Sequence, residues 1–194
     1  MEKHRMQHPL YGVYQGLTAE QYWRAFVHRI FNSLGHDMDY KAVDKAADIL
    51  IHDFDTDPAM WEILPHAESV LQNIRTNGTK LGVISNFDER LKDTLHKQRL
   101  ARYFDFVVTC FDAMAEKPDA RIFEHALGIA GVKAKDTVHV GDDPERDFRA
   151  ARRVGMKAIL LNANNRLSQE EMREVPPQLI VTDLSDIPEL IKAL

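Results

Sequence analysis

Apolar residues recur along this chain with two different periods, and the change of period divides it. Thr18-Ala19-Glu20-Gln21 has the form of a helix capping box, and Tyr22, Trp23, Phe26, Val27, Ile30, Phe31 and Leu34 follow at helical spacing until Gly35. A second helical pattern runs from Tyr40 to Phe54, with Val43, Ala46, Ala47, Leu50 and Ile51 on one face. Together these predict a small helical cap, with the aromatic face of its first helix read as bundle core ahead of a substrate-specificity surface. Met60 to Pro65 then leads into a predicted helix over His66–Asn77, stopped by Asn77-Gly78.

From there short β-branched runs alternate with helical patterns. Strands are expected over Lys80–Ser85, Phe106–Thr109, Thr137–Val140, Lys157–Leu161 and Leu179–Val181. Between and after them, helices are expected over Asp88–Leu100, Ala120–Ala130, Arg146–Val154, Ser168–Glu174 and Ile187–Leu194. Such alternation predicts an α/β fold, a doubly wound parallel sheet with helices on both faces. The expected organisation is a poorly ordered lead-in over 1–17, a helical cap over 18–57 and an α/β core over 58–194.

Three of the loops that follow strands carry candidate chemistry. Leu81-Gly82-Val83-Ile84 ends in Ser85 and Asn86, Lys117 stands in Glu116-Lys117-Pro118-Asp119 before a helix, and Val138-His139-Val140-Gly141 ends in Asp142 and Asp143, with Asp147 one helical turn on. Taken alone, an aspartate after a strand is more often a helix cap than a ligand. Taken together, hydroxyl and amide donors with a lysine suit a phosphate group, and neighbouring carboxylates suit Mg²⁺, at the strand edge where open α/β sheets bind ligands.

The wording of these loops, VISNF at Val83–Phe87, EKPDARIF at Glu116–Phe123 and VGDDPERD at Val140–Asp147, resembles the second, third and fourth motifs of the haloacid dehalogenase superfamily of hydrolases, and the resemblance covers nearly the whole chain. It implies a Rossmann-type core and a phosphatase that passes a phosphoryl group to an aspartate with Mg²⁺ present. By the same resemblance Ser85 and Asn86 would hold phosphoryl oxygens, Lys117 would stabilise their charge, and Asp142 would hold Mg²⁺ with Asp143 or Asp147 in support.

One departure accompanies the matches. The family's first motif, a strand ending in Asp-x-Asp-x-Thr that supplies the nucleophile, has no counterpart in Met1–Gly16, which contain no aspartate and no β-branched run. Asp53-Phe54-Asp55-Thr56-Asp57 imitates it, but follows a helical pattern and runs into Pro58. Since that strand is central in the family's sheet, its neighbours are expected to lack a partner. The expectation is therefore a phosphatase in its full-length form, here N-terminally truncated and inactive; the other reading is a short form that binds phosphate compounds or a protein without catalysis.

Composition narrows the setting. With 194 residues, 44% hydrophobic and 28% charged, the chain is one globular unit with a sizeable core. Neither a transmembrane stretch nor a signal-peptide core is evident, so an intracellular, cytoplasmic protein is expected, with no membrane partner. A single cysteine, Cys110, follows an apolar strand and reads as a buried thiol. A net charge of −5 argues against a nucleic-acid partner, and the family resemblance implies a small phosphorylated metabolite as a ligand. The nine histidines lack metal-like spacing; His125 and His139 could approach strand ends, but each reads first as a satisfied core or surface residue.

Overall fold

The computed structural model describes residues 9–34, 39–163 and 165–194. Helices α1 (Ala19–Ser33) and α2 (Tyr40–Thr56) form an antiparallel pair. The capping box at the start of α1 is formed: Gln21 N–H donates to Thr18 Oγ1 at 3.2 Å, and Thr18 N–H donates to Gln21 Oε1 at 2.9 Å. Val27, Val43 and Ala47 make the buried seam between the helices, with Phe31 packed on it. Asp44 accepts from Arg24 and His28 across the pair. The Asp53–Asp57 stretch is the last turn of α2 and its cap, where Asp57 N–H donates to the Asp53 carbonyl at 2.8 Å; it builds no strand. Of the expected lead-in, residues 1–8 lie outside the described residues. Pro9–Gln15 is a 3₁₀ turn with a left-handed kink that buries Leu10 and Tyr11 beside Tyr22 and Cys110.

The α/β part alternates as the pattern requires: α3 (Ala67–Thr76), β1 (Gly82–Ser85), α4 (Leu91–Lys97), β2 (Phe106–Thr109), α5 (Cys110–Ala113), α6 (Ala120–Ala130), β3 (Val138–Gly141), α7 (Ala150–Arg153), β4 (Lys157–Leu161), α8 (Gln169–Arg173), β5 (Ile180–Val181) and α9 (Ile187–Ala193). All strand pairs are parallel. Gly82 sits opposite Phe106, whose ring covers it: a methyl at Gly82 would lie 2.1 Å from the ring, so any side chain there would displace Phe106. The helix expected over Asp88–Leu100 is shorter, because Asp88 stays outside it and accepts from Arg90 N–H at 3.1 Å. The helix expected over Arg146–Val154 begins at Pro144 as a π turn and becomes α-helical at Ala150.

The parallel strands form two ladders among the described residues, β1–β2 and β3–β4–β5. Side chains alternate across them, and both ladders feed the same two layers. On one face Ile84, Val108, Ala158 and Leu160 pack against Ile122, Phe123 and Ala126 of α6 and Phe148 and Ala151 of the fourth-motif helix. On the other, Leu81, Val138, Val140 and Ile159 pack against Val70 and Ile74 of α3 and Ile187 of α9. Each ladder ends in an open edge: β1 pairs only with β2, and β3 only with β4, among the described residues. Half of the backbone donors and acceptors of β1 and β3 point to that open edge. Among the described residues no helix is long and apolar enough to cross a membrane.

Candidate functional site

The three motif loops meet at the carboxyl ends of β1 and β3. After β1 the chain turns at Ser85, whose Oγ accepts the Phe87 N–H at 3.2 Å and so keeps its own O–H available. Asn86 reaches sideways. Its Oδ1 accepts Lys117 N–H at 2.6 Å and its Nδ2 donates to the Lys117 carbonyl at 2.8 Å, which binds the second motif to the third through the backbone. Tyr11 O–H donates to the Asn86 carbonyl at 2.6 Å from the N-terminal turn. Beyond Lys117, Asp119 caps α6 by accepting Arg121 N–H at 2.9 Å.

The fourth motif is built around Asp147. Gly141 ends β3, and a methyl there would lie 2.3 Å from Asp147 Cγ, so the glycine is what lets the carboxylate tuck under the strand end. The π turn Pro144–Arg149 carries Asp147 back to that point. Asp143 Oδ1 caps the turn, accepting from Glu145 N–H at 2.9 Å and Arg146 N–H at 2.7 Å, while Asp143 N–H donates to Asp147 Oδ2 at 3.0 Å. Asp147 Oδ1 accepts from Lys117 Nζ at 2.5 Å and from His139 Nε2 at 3.0 Å. Burial of this carboxyl pushes its pKa up, but the His139 hydrogen bond and the Lys117 charge and hydrogen bond outweigh it and hold the group well below the ordinary carboxylate range.

Of the six residues singled out in the sequence, Asn86, Lys117, Asp143 and Asp147 form one bonded network. Ser85 adjoins it through the chain. Asp142 is exposed at the loop tip and takes part in no hydrogen bond or ion pair among the described residues. Among the described residues no group of three or more His, Cys, Asp or Glu is arranged to hold a metal ion. The carboxylate oxygens that accept no hydrogen bond among the described residues are those of Asp142 and Oδ2 of Asp143, the latter 3.8 Å from Arg146 Nη1 in a long ion pair, whereas Asp147 already accepts three donors. That donor set suits a Mg²⁺ ion that takes its other ligands from phosphate and water.

Two partnerships escaped the sequence. His139 is a satisfied core histidine, 9% exposed, but what satisfies it is the site carboxylate; its place two residues before Gly141 on the same strand was the available signal. The second is a knot between α1 and the loop after β1. Asp88, fully buried, accepts from Trp23 Nε1 at 2.9 Å and from Arg90 Nη2 at 2.7 Å. The Arg90 guanidinium lies 5.3 Å from the Phe54 ring centre, and Phe54 stacks on Phe87 at 5.6 Å. Part of the aromatic face of α1 thus meets the loop of the second motif instead of closing a bundle core.

The motif loops thus gather a lysine–carboxylate pair at the carboxyl ends of two parallel strands of an α/β fold. The chain matches the haloacid dehalogenase-like hydrolase family over residues 6–161, and it belongs to that family. It is 39% identical over 179 residues to the haloacid dehalogenase-like hydrolase domain-containing protein 3 of Bos taurus, covering 92% of this chain and 70% of that protein. It is 36% identical over 138 residues to a glyceraldehyde 3-phosphate phosphatase of Methanothermobacter thermautotrophicus, covering 70% of this chain and 60% of that protein. Among solved structures it resembles a 2-haloacid dehalogenase from Pseudomonas syringae pv. Tomato DC3000, with a TM-score of 0.67 and 27% identity, covering 90% of this chain and 72% of that one.

Proposed function

We propose that these loops are the phosphate-holding part of a Mg²⁺-dependent phosphatase, and that the 194-residue chain, without the first motif, binds phosphate but does not turn it over. The observation that carries this is the bonded network Asn86–Lys117–Asp147–Asp143 at the carboxyl ends of two strands whose neighbouring edges are open. Phosphatase relatives support a phosphate over a halo acid, and so does the chemistry: paired carboxylates beside a lysine suit a cation bridging to a phosphate. In this reading the Ser85 hydroxyl donates to a phosphoryl oxygen, which only accepts, while its own oxygen accepts the Phe87 N–H. Asn86 acts by fixing the Lys117 backbone, because its amide is committed there. Lys117 spends one N–H on Asp147 and has two left for phosphate oxygens. Asp142, with Oδ2 of Asp143, would hold the magnesium, which when bound supplies positive charge to the phosphate oxygens.

In this reading no carboxylate of the site is left over as the nucleophile, since Asp142, exposed and unbonded among the described residues, is assigned to the magnesium. Asp147 is buried and triply engaged, and Asp143 caps a helix turn. The test compares the unfused chain with a fusion that adds a family-type strand ending in Asp-x-Asp. The chain alone should bind inorganic phosphate yet leave an aryl phosphate intact. The fusion should hydrolyse it with Mg²⁺ present and lose that activity on Lys117→Ala or Asp142→Ala. Hydrolysis by the unfused chain that disappears on Asp142→Ala would overturn the reading.

A further inference from the structure

We propose that His139 is a positioning residue of the phosphate site: through an Nε2–H bond to Asp147 Oδ1 it fixes the carboxylate that aims the Lys117 ammonium. The inference rests on the phosphate reading for what Lys117 does, and on geometry alone for what His139 does. Asp147 Oδ1 receives both Lys117 Nζ at 2.5 Å and His139 Nε2 at 3.0 Å. An ionised carboxylate only accepts, so the proton of this bond belongs to His139, and the tautomer is set with hydrogen on Nε2.

The three donors to Asp147 differ in rigidity. Lys117 is on a loop and the Asp143 N–H is on a turn, whereas His139 is the second residue of β3, 9% exposed, with Phe123 of α6 packed edge-on at 5.2 Å. Only the histidine anchors the carboxylate to the sheet. A lysine on a long flexible stem gains direction from a partner that cannot rotate, and by analogy with the outer partners of metal ligands, which contribute about 10- to 100-fold, the effect sought is of that order. The position also argues against simple packing. The other face-mates around it, Phe123, Ala158 and Phe148, are apolar, so an aliphatic side chain would fit this layer at least as well as an imidazole.

Two variants separate the roles. His139→Gln keeps an N–H donor at similar reach, while His139→Leu keeps the volume and removes the donor. Lys117 is read by the ¹H–¹⁵N signal of its ammonium, visible only when its hydrogens are held against exchange, and the site is read by calorimetric titration with inorganic phosphate; thermal melts report folding. The wild-type chain and His139→Gln should show the held ammonium, and His139→Leu should lose it while melting no lower than His139→Gln. Phosphate affinity should fall about 10-fold or more in His139→Leu and be largely kept in His139→Gln. A Leu variant with the ammonium signal and affinity of the wild type, or a Gln variant no better than Leu, would overturn the proposal. If the ammonium signal follows the expected pattern but the wild-type chain takes up no phosphate, the positioning of Lys117 stands and the phosphate reading falls.

Discussion

Asn86 and Lys117 hold each other twice, Lys117 N–H donating to Asn86 Oδ1 at 2.6 Å and Asn86 Nδ2 donating to the Lys117 carbonyl at 2.8 Å. The pairing fixes which end of the amide is oxygen, and it joins two loops that are 31 residues apart in the chain. Asn86→Ala removes both bonds and leaves two half-buried backbone groups without them. At about 1 kcal/mol net for each, the loss should be about 2 kcal/mol in urea unfolding. Asn86→Asp should recover little of it, since a second carboxylate oxygen would face the Lys117 carbonyl. Hydrogen exchange at the Lys117 amide gives the local check. Exchange as slow in Asn86→Ala as in the wild type would mean that the loops are joined by something else.

The depressed pKa of Asp147 makes stability depend on pH, with a definite sign. Its folded value lies below the unfolded one, so the folded protein takes up this proton less readily than the unfolded chain. The stabilisation is complete above the ordinary carboxylate value of about 4 and is lost as pH falls below that toward the folded value. Asp147→Asn breaks the buried pair with Lys117 and should cost about 3 kcal/mol at neutral pH. Measured at decreasing pH, the gap between wild type and variant should narrow through the acid range. A gap that stayed constant down to about pH 2 would assign the acid sensitivity to other groups.

Much of the fold is legible in the sequence alone. The period change from helix to alternation locates the elements, and Phe106–Thr109, Ala120–Ala130 and Lys157–Leu161 have the bounds that the pattern predicts. The loops are legible because three polar clusters stand at strand ends. The long-range partners are not. Nothing local in Asp88-Glu89-Arg90 says that Trp23, 65 residues away, completes a buried carboxylate's bonds. α5 goes unseen because a single turn carries no period; its one signal is Thr109 with Asp112 three residues on, and the two do form a capping box. The π turn is equally silent, since one extra residue in a turn leaves the apolar spacing of Phe148 and Ala151 nearly unchanged.

The Asp88 knot is where the helix pair engages the second motif, and it offers a separable test. Asp88→Ala strips a fully buried carboxylate from the half-buried Arg90, 2.7 Å away, and leaves that charge and the Trp23 indole N–H without it. The cost should be about 3 to 5 kcal/mol. Replacing both partners, as Asp88→Leu with Arg90→Met, should recover most of the loss, because no buried charge is then stranded. Tryptophan emission would track the rearrangement at Trp23. A double variant as unstable as Asp88→Ala would show that the ion pair is not the source of the penalty.

Two glycines offer the sharpest contrast in the chain. At Gly141 an added methyl meets Asp147 Cγ at 2.3 Å, closer than carbon atoms approach without displacement. The carboxylate must move, and with it the bonds to Lys117, His139 and Asp143 N–H. At Gly128, inside α6, a methyl meets nothing within 4 Å, and alanine is the better helix former by about 1 kcal/mol. Gly128→Ala should therefore raise the melting temperature and leave phosphate binding as it is. Gly141→Ala should lower the melting temperature, release the Lys117 ammonium from its held state and weaken phosphate binding together, because one carboxylate carries all three. If Gly141→Ala lost stability but kept the Lys117 signal and phosphate affinity of the wild type, Asp147 would be holding the fold at this point and not the lysine.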